Sequence, residues 1–179
     1  MIYSVELTKA MAWLGEKPDT IFLGQSIAYP GNAIYKTLSR VPIEKRIELP
    51  VAEELQMGMS IGLALTGKTV ISIYPRFDFL LLAVNQLVNH LDKLEEFTHD
   101  EFHAKVIVRV GIGSTKPMYP GVQHCGDYTE GIKKMTRNIN ILKLNYPNQV
   151  MLAYKLAYDA PAGISCLIIE EMDLYGMEQ

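Results

Sequence analysis

The feature that most constrains the fold is a regular alternation of short apolar runs with segments of helical periodicity. Residues 69–74 and 105–110 are rich in β-branched side chains, which predicts strands. Four further strands are predicted at residues 20–23, 47–49, 139–144 and 164–169. Because apolar strands that alternate with helices form parallel sheets covered on both faces, we predict an α/β fold. It should be a doubly wound, mostly parallel sheet with helices on both faces.

The intervening segments predict the helices and the edge of the sheet that carries a site. Helices are predicted at residues 4–14, 53–67, 78–97, 128–135 and 147–158, and glycine- and proline-bearing loops at residues 24–39 and 111–126. Ligands of such sheets bind at the carboxyl ends of the strands. No repeat, low-complexity segment or linker interrupts the pattern, so we expect residues 1–179 to form a single domain.

Charge and hydropathy argue against several classes of function. The net charge is −3 and the basic residues are scattered, which does not indicate a nucleic-acid surface. No signal peptide and no apolar stretch of about 18 residues is found, so we expect a cytoplasmic protein. The cysteines Cys125 and Cys166 lie far apart, and we expect both to be free thiols.

Glu53 is the most informative single residue, because it opens a helix that has almost no polar face. We therefore expect that helix to be buried on nearly all sides, together with its first turn. One interpretation of Glu53 is a helix-dipole or capping device. The other is a buried carboxylate, which costs several kcal/mol unless it is paired and which proteins keep mostly for chemistry.

Five sequence blocks carry a resemblance to a known family. They are residues 21–25 (IFLGQ), 49–53 (LPVAE), 74–79 (YPRFDF), 85–89 (NQLVN) and 121–124 (GVQH). In this order they resemble the pyrimidine-binding domain of transketolase-like thiamine diphosphate enzymes. The similarity is greatest to the N-terminal domain of 2-oxoacid dehydrogenase E1 β subunits, and it runs from about residue 4 to residue 170.

The resemblance implies half of a cofactor site. The chain lacks the Gly-Asp-Gly signature with a later Asn, with which the companion domain of the family holds magnesium and diphosphate. We therefore expect neither that domain nor a C-terminal transketolase domain in this chain. Thiamine diphosphate would be shared with a separate diphosphate-binding subunit that holds the Mg²⁺, most simply in a heterotetramer.

Four positions match the pyrimidine pocket of the family. Glu53 matches the Glu that hydrogen-bonds the aminopyrimidine ring and drives the tautomer that removes the thiazolium C2 proton; Glu54 competes by adjacency, but stands where the family has an apolar residue. Phe79 matches the aromatic residue that stacks on the ring, although it is also consistent with an ordinary core Phe. Val51 and Pro75 match positions that line the same pocket, with simple packing as the alternative.

His124 matches an active-site histidine that orients the substrate and takes part in proton transfer; a solvated or capping loop residue is the alternative. Three positions depart from the family. Gln25 and Asn85 stand where it commonly has acids, which are associated with proton communication between paired sites. Arg76 replaces a small polar residue, and it suits either an anionic substrate or diphosphate, or an ion pair at the surface or between subunits.

A second group of histidines invites a metal-site interpretation. His99 and His103 are four residues apart, with His90 upstream, but Asp100 follows the first histidine where a zincin motif needs Glu. The surroundings are charged, as at a solvated helix end. We expect no metal to be bound by this chain.

Two functions follow from the sequence. In the first, the chain is the pyrimidine-binding subunit of a split thiamine diphosphate-dependent enzyme, of the transketolase, decarboxylase or dehydrogenase type. Its reaction is decarboxylation of a 2-oxo acid or acyl or ketol transfer, on a small 2-oxo acid or ketose-type substrate. In the second, it is a non-catalytic assembly or regulatory module of the same fold. The presence of Glu53, Phe79 and His124 favours the first, whereas Gln25 and Asn85 favour the second.

Overall fold

Six parallel strands form one sheet in a computed structural model that describes residues 1–113, 115 and 119–175. The strands are β1 (Thr20–Gly24), β2 (Arg46–Glu48), β3 (Thr69–Tyr74), β4 (Lys105–Ile112), β5 (Asn140–Leu144) and β6 (Cys166–Glu171). Their order is β2-β1-β3-β4-β6-β5, and every neighbouring pair is parallel. The predicted doubly wound α/β fold is confirmed.

Alternating side chains of the strands supply two cores, one on each face of the sheet. On β3, Ile71 and Ile73 belong to the core that also contains the buried faces of the first and last helices. Val70 and Tyr74 point to the opposite core, which contains Met57 of the third helix. This strand is buried along its whole length, so its carboxyl end delivers residues 75–79 to a covered part of the molecule.

Seven α-helices cover the sheet within the described residues. They are α1 (Tyr3–Gly15), α2 (Ala33–Thr37), α3 (Glu53–Leu65), α4 (Phe77–Leu80), α5 (Leu94–Phe97), α6 (Thr129–Met135) and α7 (Pro147–Asp159). Helices α1 and α7 lie together on one face, and α3 lies against β3 on the other. The short helix α2 was not predicted, because it lies in a segment whose proline and glycine content is typical of a loop. No helix in the described part of the chain is both long enough and apolar enough to span a bilayer.

The long helix predicted for residues 78–97 is wrong. The segment instead consists of α4, a 3-10 turn (Leu81–Ala83), a π-helix (Gln86–Leu91) and α5. Its buried positions still recur every three or four residues, at Leu80, Ala83, Leu87, Leu91 and Leu94. The apolar period is therefore the same as in one continuous helix. It does not show whether a given turn has the hydrogen-bond pattern of an α-, 3-10 or π-helix.

The break after the π-helix places the carboxylate of Asp92 in the interior. Asp92 is buried, and its side chain accepts hydrogen bonds of 2.8–3.2 Å from the backbone N–H groups of Arg137, Asn138 and Ile139. Its own N–H donates to the carbonyl of Leu87 at 2.9 Å, which closes the wider turn. The interrupted helix thus anchors the segment that leads into β5.

Helix α3 is not buried on nearly all sides, so that expectation is also wrong. One face packs into the core through Gln56, Met57, Ser60 and Ala64. The opposite face is open: Leu55 and Leu65 are 52% and 41% exposed, and added Cβ atoms at Gly58 and Gly62 would meet nothing within 4 Å. Beside it lies an apolar groove of about 430 Å³, walled on its other side by the π-helix and α5. The apolar composition of α3 therefore reflects a surface that residues 1–113, 115 and 119–175 leave uncovered.

The core beneath α1 and α7 contains a fully buried ion pair. Arg109 on β4 donates from Nε and Nη2 to the two carboxylate oxygens of Glu170 at 2.7 and 2.9 Å, and the hydroxyls of Tyr154 and Tyr175 donate to the same carboxylate. Burial by itself lowers the pKa of Arg109, but the charge and hydrogen bonds of Glu170 together with the neighbouring Tyr154 and Tyr175 outweigh it, and the pKa is raised well above its usual range. The pair is therefore ionised.

We expect Glu170→Ala to lower the free energy of unfolding by about 3–5 kcal/mol, because it leaves the charge of Arg109 buried without a partner. Urea denaturation followed by circular dichroism measures this. Glu130→Ala is the matched control, since its ion pair with Lys133 is exposed and such pairs contribute about 0–1 kcal/mol. Equal denaturation midpoints for the two variants would contradict the stabilising role of the buried pair.

Candidate functional site

Glu53 is held in the interior at the first position of α3. It is 5% exposed, whereas Glu54 is exposed to solvent. Its Oε1 accepts a hydrogen bond of 3.1 Å from Nε2 of Gln25, and Oε2 accepts none from the described residues. Because none of the described first-turn N–H groups donates to this carboxylate, the geometry does not support the capping interpretation. Glu53 is thus a buried carboxylate with one oxygen held by Gln25 and the other without a partner in the described part of the chain.

Gln25 reaches Glu53 because β1 ends at a glycine. A Cβ at Gly24 would lie 2.5 Å from the carbonyl oxygen of Ile73 on the adjacent strand, so only glycine allows the strands to approach this closely. The next residue, Gln25, then lies beside the start of α3. In the sequence, Gln25 stands out only as a departure from the family. Its hydrogen bond to Glu53 was missed, since it joins residues 28 positions apart in the chain.

A buried hydroxyl fixes the backbone under Glu53. The Tyr74 hydroxyl, at the end of β3, donates to the carbonyl oxygen of Glu53 at 3.3 Å. Burial raises the pKa of Tyr74, so the phenol stays protonated and remains a donor. One turn further along α3, the amide of Gln56 donates to the carbonyl of Ile73 at 2.9 Å. These bonds tie the first turns of α3 to β3 and orient the Glu53 side chain.

The carboxyl end of β3 forms one wall of an open cleft of about 370 Å³. The cleft is lined by Gln25, Ser26, Gly31, Asn32, Ala33, Pro75, Arg76, Phe79 and Met172. Pro75 and Phe79, both predicted site residues, therefore share this cleft, and Phe79 is only half-buried. Gln25 connects the cleft to Glu53, because its side chain lines the cleft and donates a hydrogen bond to the Glu53 carboxylate.

His124 lies against Phe79, at the end of a 3-10 turn (Val122–His124). The two rings are nearly perpendicular, at 86°, and their centroids are 5.7 Å apart. Nδ1 of His124 is buried and has no hydrogen-bond partner among the described residues. The side chain is therefore neither fully solvated nor a helix cap, and it lies in contact with Phe79.

Arg76 fixes the loop that carries His124. Its Nη1 donates to the carbonyl oxygens of His124 and Gly113, at 2.7 and 3.2 Å. No carboxylate among the described residues lies within 4.0 Å of its guanidinium, so an ion pair within the described chain is excluded. Its role as a loop anchor was missed, because a sequence does not show which carbonyls a long side chain will reach.

Two of the singled-out residues lie on the surface. Val51 is 79% exposed, so the packing interpretation does not hold among the residues that the structure describes. Asn85 is exposed and accepts a hydrogen bond of 2.9 Å from Asn89, one turn along the surface. Neither residue lines the cleft.

The histidines of the near-zincin sequence do not share a helix face. His99 adopts a left-handed backbone conformation with φ of 51°, two residues after the end of α5. His103 instead pairs with Glu95 through Nδ1. Across residues 1–113, 115 and 119–175, no group of three or more potential metal-ligating His, Cys, Asp or Glu side chains is found.

Comparison with known proteins identifies relatives of the chain. No protein-family profile matches it. The pyruvate dehydrogenase E1 component subunit β of Cyanidium caldarium is 25% identical over 169 residues, which cover 92% of this chain and 47% of that protein. The 2-oxoisovalerate dehydrogenase subunit β of Bacillus subtilis is 24% identical over 152 residues, which cover 83% and 45%. A split-gene transketolase, solved as an inactive β4 tetramer, matches 99% of this chain and 53% of its own with a TM-score of 0.74, at 17% identity.

The resemblance recognised in the sequence blocks is thereby confirmed. The chain is homologous to E1 β subunits of 2-oxoacid dehydrogenases, and it has the fold found in the split transketolase. It spans slightly less than half the length of the two relatives, at 47% and 45%.

Proposed function

We propose that this chain is the pyrimidine-binding subunit of a split thiamine diphosphate-dependent enzyme, which decarboxylates a 2-oxo acid or transfers an acyl or ketol unit. The observation that carries the proposal is the carboxylate of Glu53. It is buried at the first turn of α3, with Oε1 held by Gln25 and Oε2 without a partner among the described residues. A group in that state is suited to exchange a proton with a bound ring.

The donor set around Glu53 fits an aminopyrimidine. Such a ring needs a carboxylate for its ring nitrogen and an aromatic side chain to stack on, and Glu53 and Phe79 supply both from the starts of α3 and α4. Phe79 is half-buried and lines the open cleft, which leaves part of its ring accessible. Pro75 is buried in the same wall, and Val51 remains exposed next to the start of α3.

Each side chain then has a defined task. Thiamine diphosphate, when bound, supplies a nucleophilic carbon that adds to a substrate carbonyl. Glu53 exchanges the proton of the pyrimidine ring nitrogen through the oxygen that Gln25 leaves free. His124, held against Phe79 by the loop that Arg76 anchors, orients the substrate and exchanges protons with it.

The diphosphate and the Mg²⁺ belong, in this proposal, to a separate diphosphate-binding subunit. Mg²⁺ prefers carboxylate and other oxygen ligands. Two nearby carboxylates other than Glu53 are already hydrogen-bonded within the chain: Glu48 accepts from the backbone N–H groups of residues 26–28, and Asp78 accepts from the N–H of Gly126 and the hydroxyl of Tyr128. In this proposal the oxygen ligands come from the partner.

The open face of α3 supports a subunit contact next to Glu53. Leu55 and Leu65 are exposed there, Gly58 and Gly62 allow close approach of another backbone, and the apolar groove continues the surface to α5. Exposed apolar surfaces of this kind mark interaction sites. We expect a hetero-oligomer, most simply two copies of each chain around a two-fold axis.

The isolated chain should bind thiamine diphosphate weakly or not at all, because most of the affinity comes from Mg²⁺ and the diphosphate. The test is to purify the tagged chain from its source with its natural partner, and to titrate both the single chain and the complex with Mg²⁺ and thiamine diphosphate in a calorimeter. Tight binding by the complex alone is the expected result. Stoichiometric, tight binding by the single chain would refute the split site, and no binding by the complex would refute the cofactor.

A further inference from the structure

We infer that the cleft beside Phe79 is an oxyanion site, in which Arg76 binds a carboxylate or phosphate group of the substrate. The inference rests on the proposed function, and it adds the group that determines which substrates the site accepts. Two observations support it. The Arg76 guanidinium has hydrogen-bond donors without a partner among the described residues, and the cleft that it lines lies between Glu53 and His124.

Arg76 is half-buried in the wall of the cleft, two residues after the end of β3. No carboxylate among the described residues lies within 4.0 Å of it. Burying a charge without a partner is costly, and the cost grows with burial. The Nε and Nη2 atoms of Arg76 stay accessible, so a ligand in the cleft can reach them. A chain with a net charge of −3 offers many acids, yet none among the described residues neutralises this arginine. An anion from outside the chain would do so.

The two other buried or half-buried arginines among the described residues, Arg46 on β2 and Arg109 on β4, show the contrast. Arg109 pairs its Nε and Nη2 with the carboxylate of Glu170. All three side-chain nitrogens of Arg46 donate to backbone carbonyls, namely those of Ile27, Leu38 and Val41. Arg76 uses only Nη1 in this way, and its Nε and Nη2 have no partner within the described residues.

The unused nitrogens are the ones that form a bidentate fork. Nε and Nη2 of an arginine lie on one edge of the guanidinium and match the two oxygens of a carboxylate or phosphate. The carbonyls of Gly113 and His124 hold the opposite side of the group through Nη1. Because the guanidinium is already positioned, binding an oxyanion costs little further side-chain entropy.

The lining of the cleft defines the class of ligand. Its volume of about 370 Å³ suits a small molecule, and Arg76 is the single charged side chain among the described residues that line it. Gln25, Ser26 and Asn32 add polar groups. The cleft shares Gln25 with Glu53 and Phe79 with His124, so an anion held by Arg76 would lie beside the proposed reacting groups. A small 2-oxo acid or a phosphorylated ketose meets this description.

The experiment follows the Nε–Hε resonance of Arg76 in ¹⁵N-labelled full-length chain, titrated separately with inorganic phosphate and with pyruvate. We expect a saturable shift with at least one probe, which identifies a phosphate or a carboxylate as the recognised group. Calorimetry should show at least tenfold weaker binding of that probe by Arg76→Gln. Arg76→Lys, which keeps the charge but lacks the fork, should also bind more weakly than the wild type. Arg40→Gln, which removes an exposed arginine, should bind like the wild type.

Two outcomes would overturn the inference. One is the absence of any shift of the Arg76 resonance at saturating phosphate and pyruvate, which does not depend on whether a variant folds. The other is unchanged probe affinity in both Arg76 variants. Neither measurement needs the cofactor or the partner, so failure here leaves the proposed role of Glu53 untouched. Conversely, anion binding by Arg76 would persist if the thiamine diphosphate proposal were wrong.

Discussion

Glu53→Gln removes nearly all hydrogen–deuterium exchange at the thiazolium C2 atom in the assembled complex, if the carboxylate drives the pyrimidine tautomer. Gln has the same shape but cannot exchange the proton, and loss of a positioned acid–base group costs roughly 10²–10⁴-fold in rate. Turnover should fall by at least the same factor. The fold and the assembly should survive, because the main-chain bond from Tyr74 to residue 53 does not involve the carboxylate.

The neighbouring carboxylate provides the control. Glu54 is exposed on α3, so Glu54→Gln changes the same charge one residue away without touching the interior, and it should leave C2 exchange close to the wild-type rate. Exchange is measured by proton NMR of the cofactor after mixing with D₂O. Wild-type exchange in the Glu53→Gln complex would falsify the assignment, and equal losses in both variants would point to the interface instead of the reaction.

Local patterns were sufficient to predict the sheet. The central strands β1, β3, β4 and β6 each contain a short buried apolar run, and the parallel arrangement follows from the helices between the strands. Local patterns could not predict how residues 78–97 are divided. The spacing of Leu87, Leu91 and Leu94 is compatible both with one straight helix and with the observed π-helix followed by α5. The hydrogen bonds of Asp92 to the backbone of residues 137–139, which accompany the break, join distant parts of the sequence.

In the site, too, features set by neighbouring residues could be predicted from the sequence, whereas contacts between distant residues could not. Glu53 was recognisable because a carboxylate before an apolar helix is conspicuous in any sequence. Its partner Gln25 was not, since their contact depends on β1 lying between β2 and β3 in the sheet. Burial of α3 was overestimated for a related reason. An apolar helix face that another chain would cover and one that its own chain covers have identical compositions.

His124→Ala should leave cofactor binding and C2 exchange intact while slowing product formation by roughly 10²–10⁴-fold, because a group that acts on the substrate is lost. Arg76 binds the carbonyl oxygen of His124 and not its ring, so truncation of the side chain keeps the loop anchored. Steady-state turnover of the assembled complex and calorimetric titration with thiamine diphosphate measure the two effects separately.

The split between these two measurements decides the role of the histidine. His124 contacts the ring of Phe79. If its role were only structural, its removal would displace that ring, and cofactor affinity would fall together with turnover. A histidine that orients the substrate lowers turnover alone. His99→Asn is the matched control, because His99 is exposed and Asn tolerates its left-handed backbone; this variant should behave like the wild type. Normal product formation by His124→Ala would show instead that the buried Nδ1 has no part in the reaction.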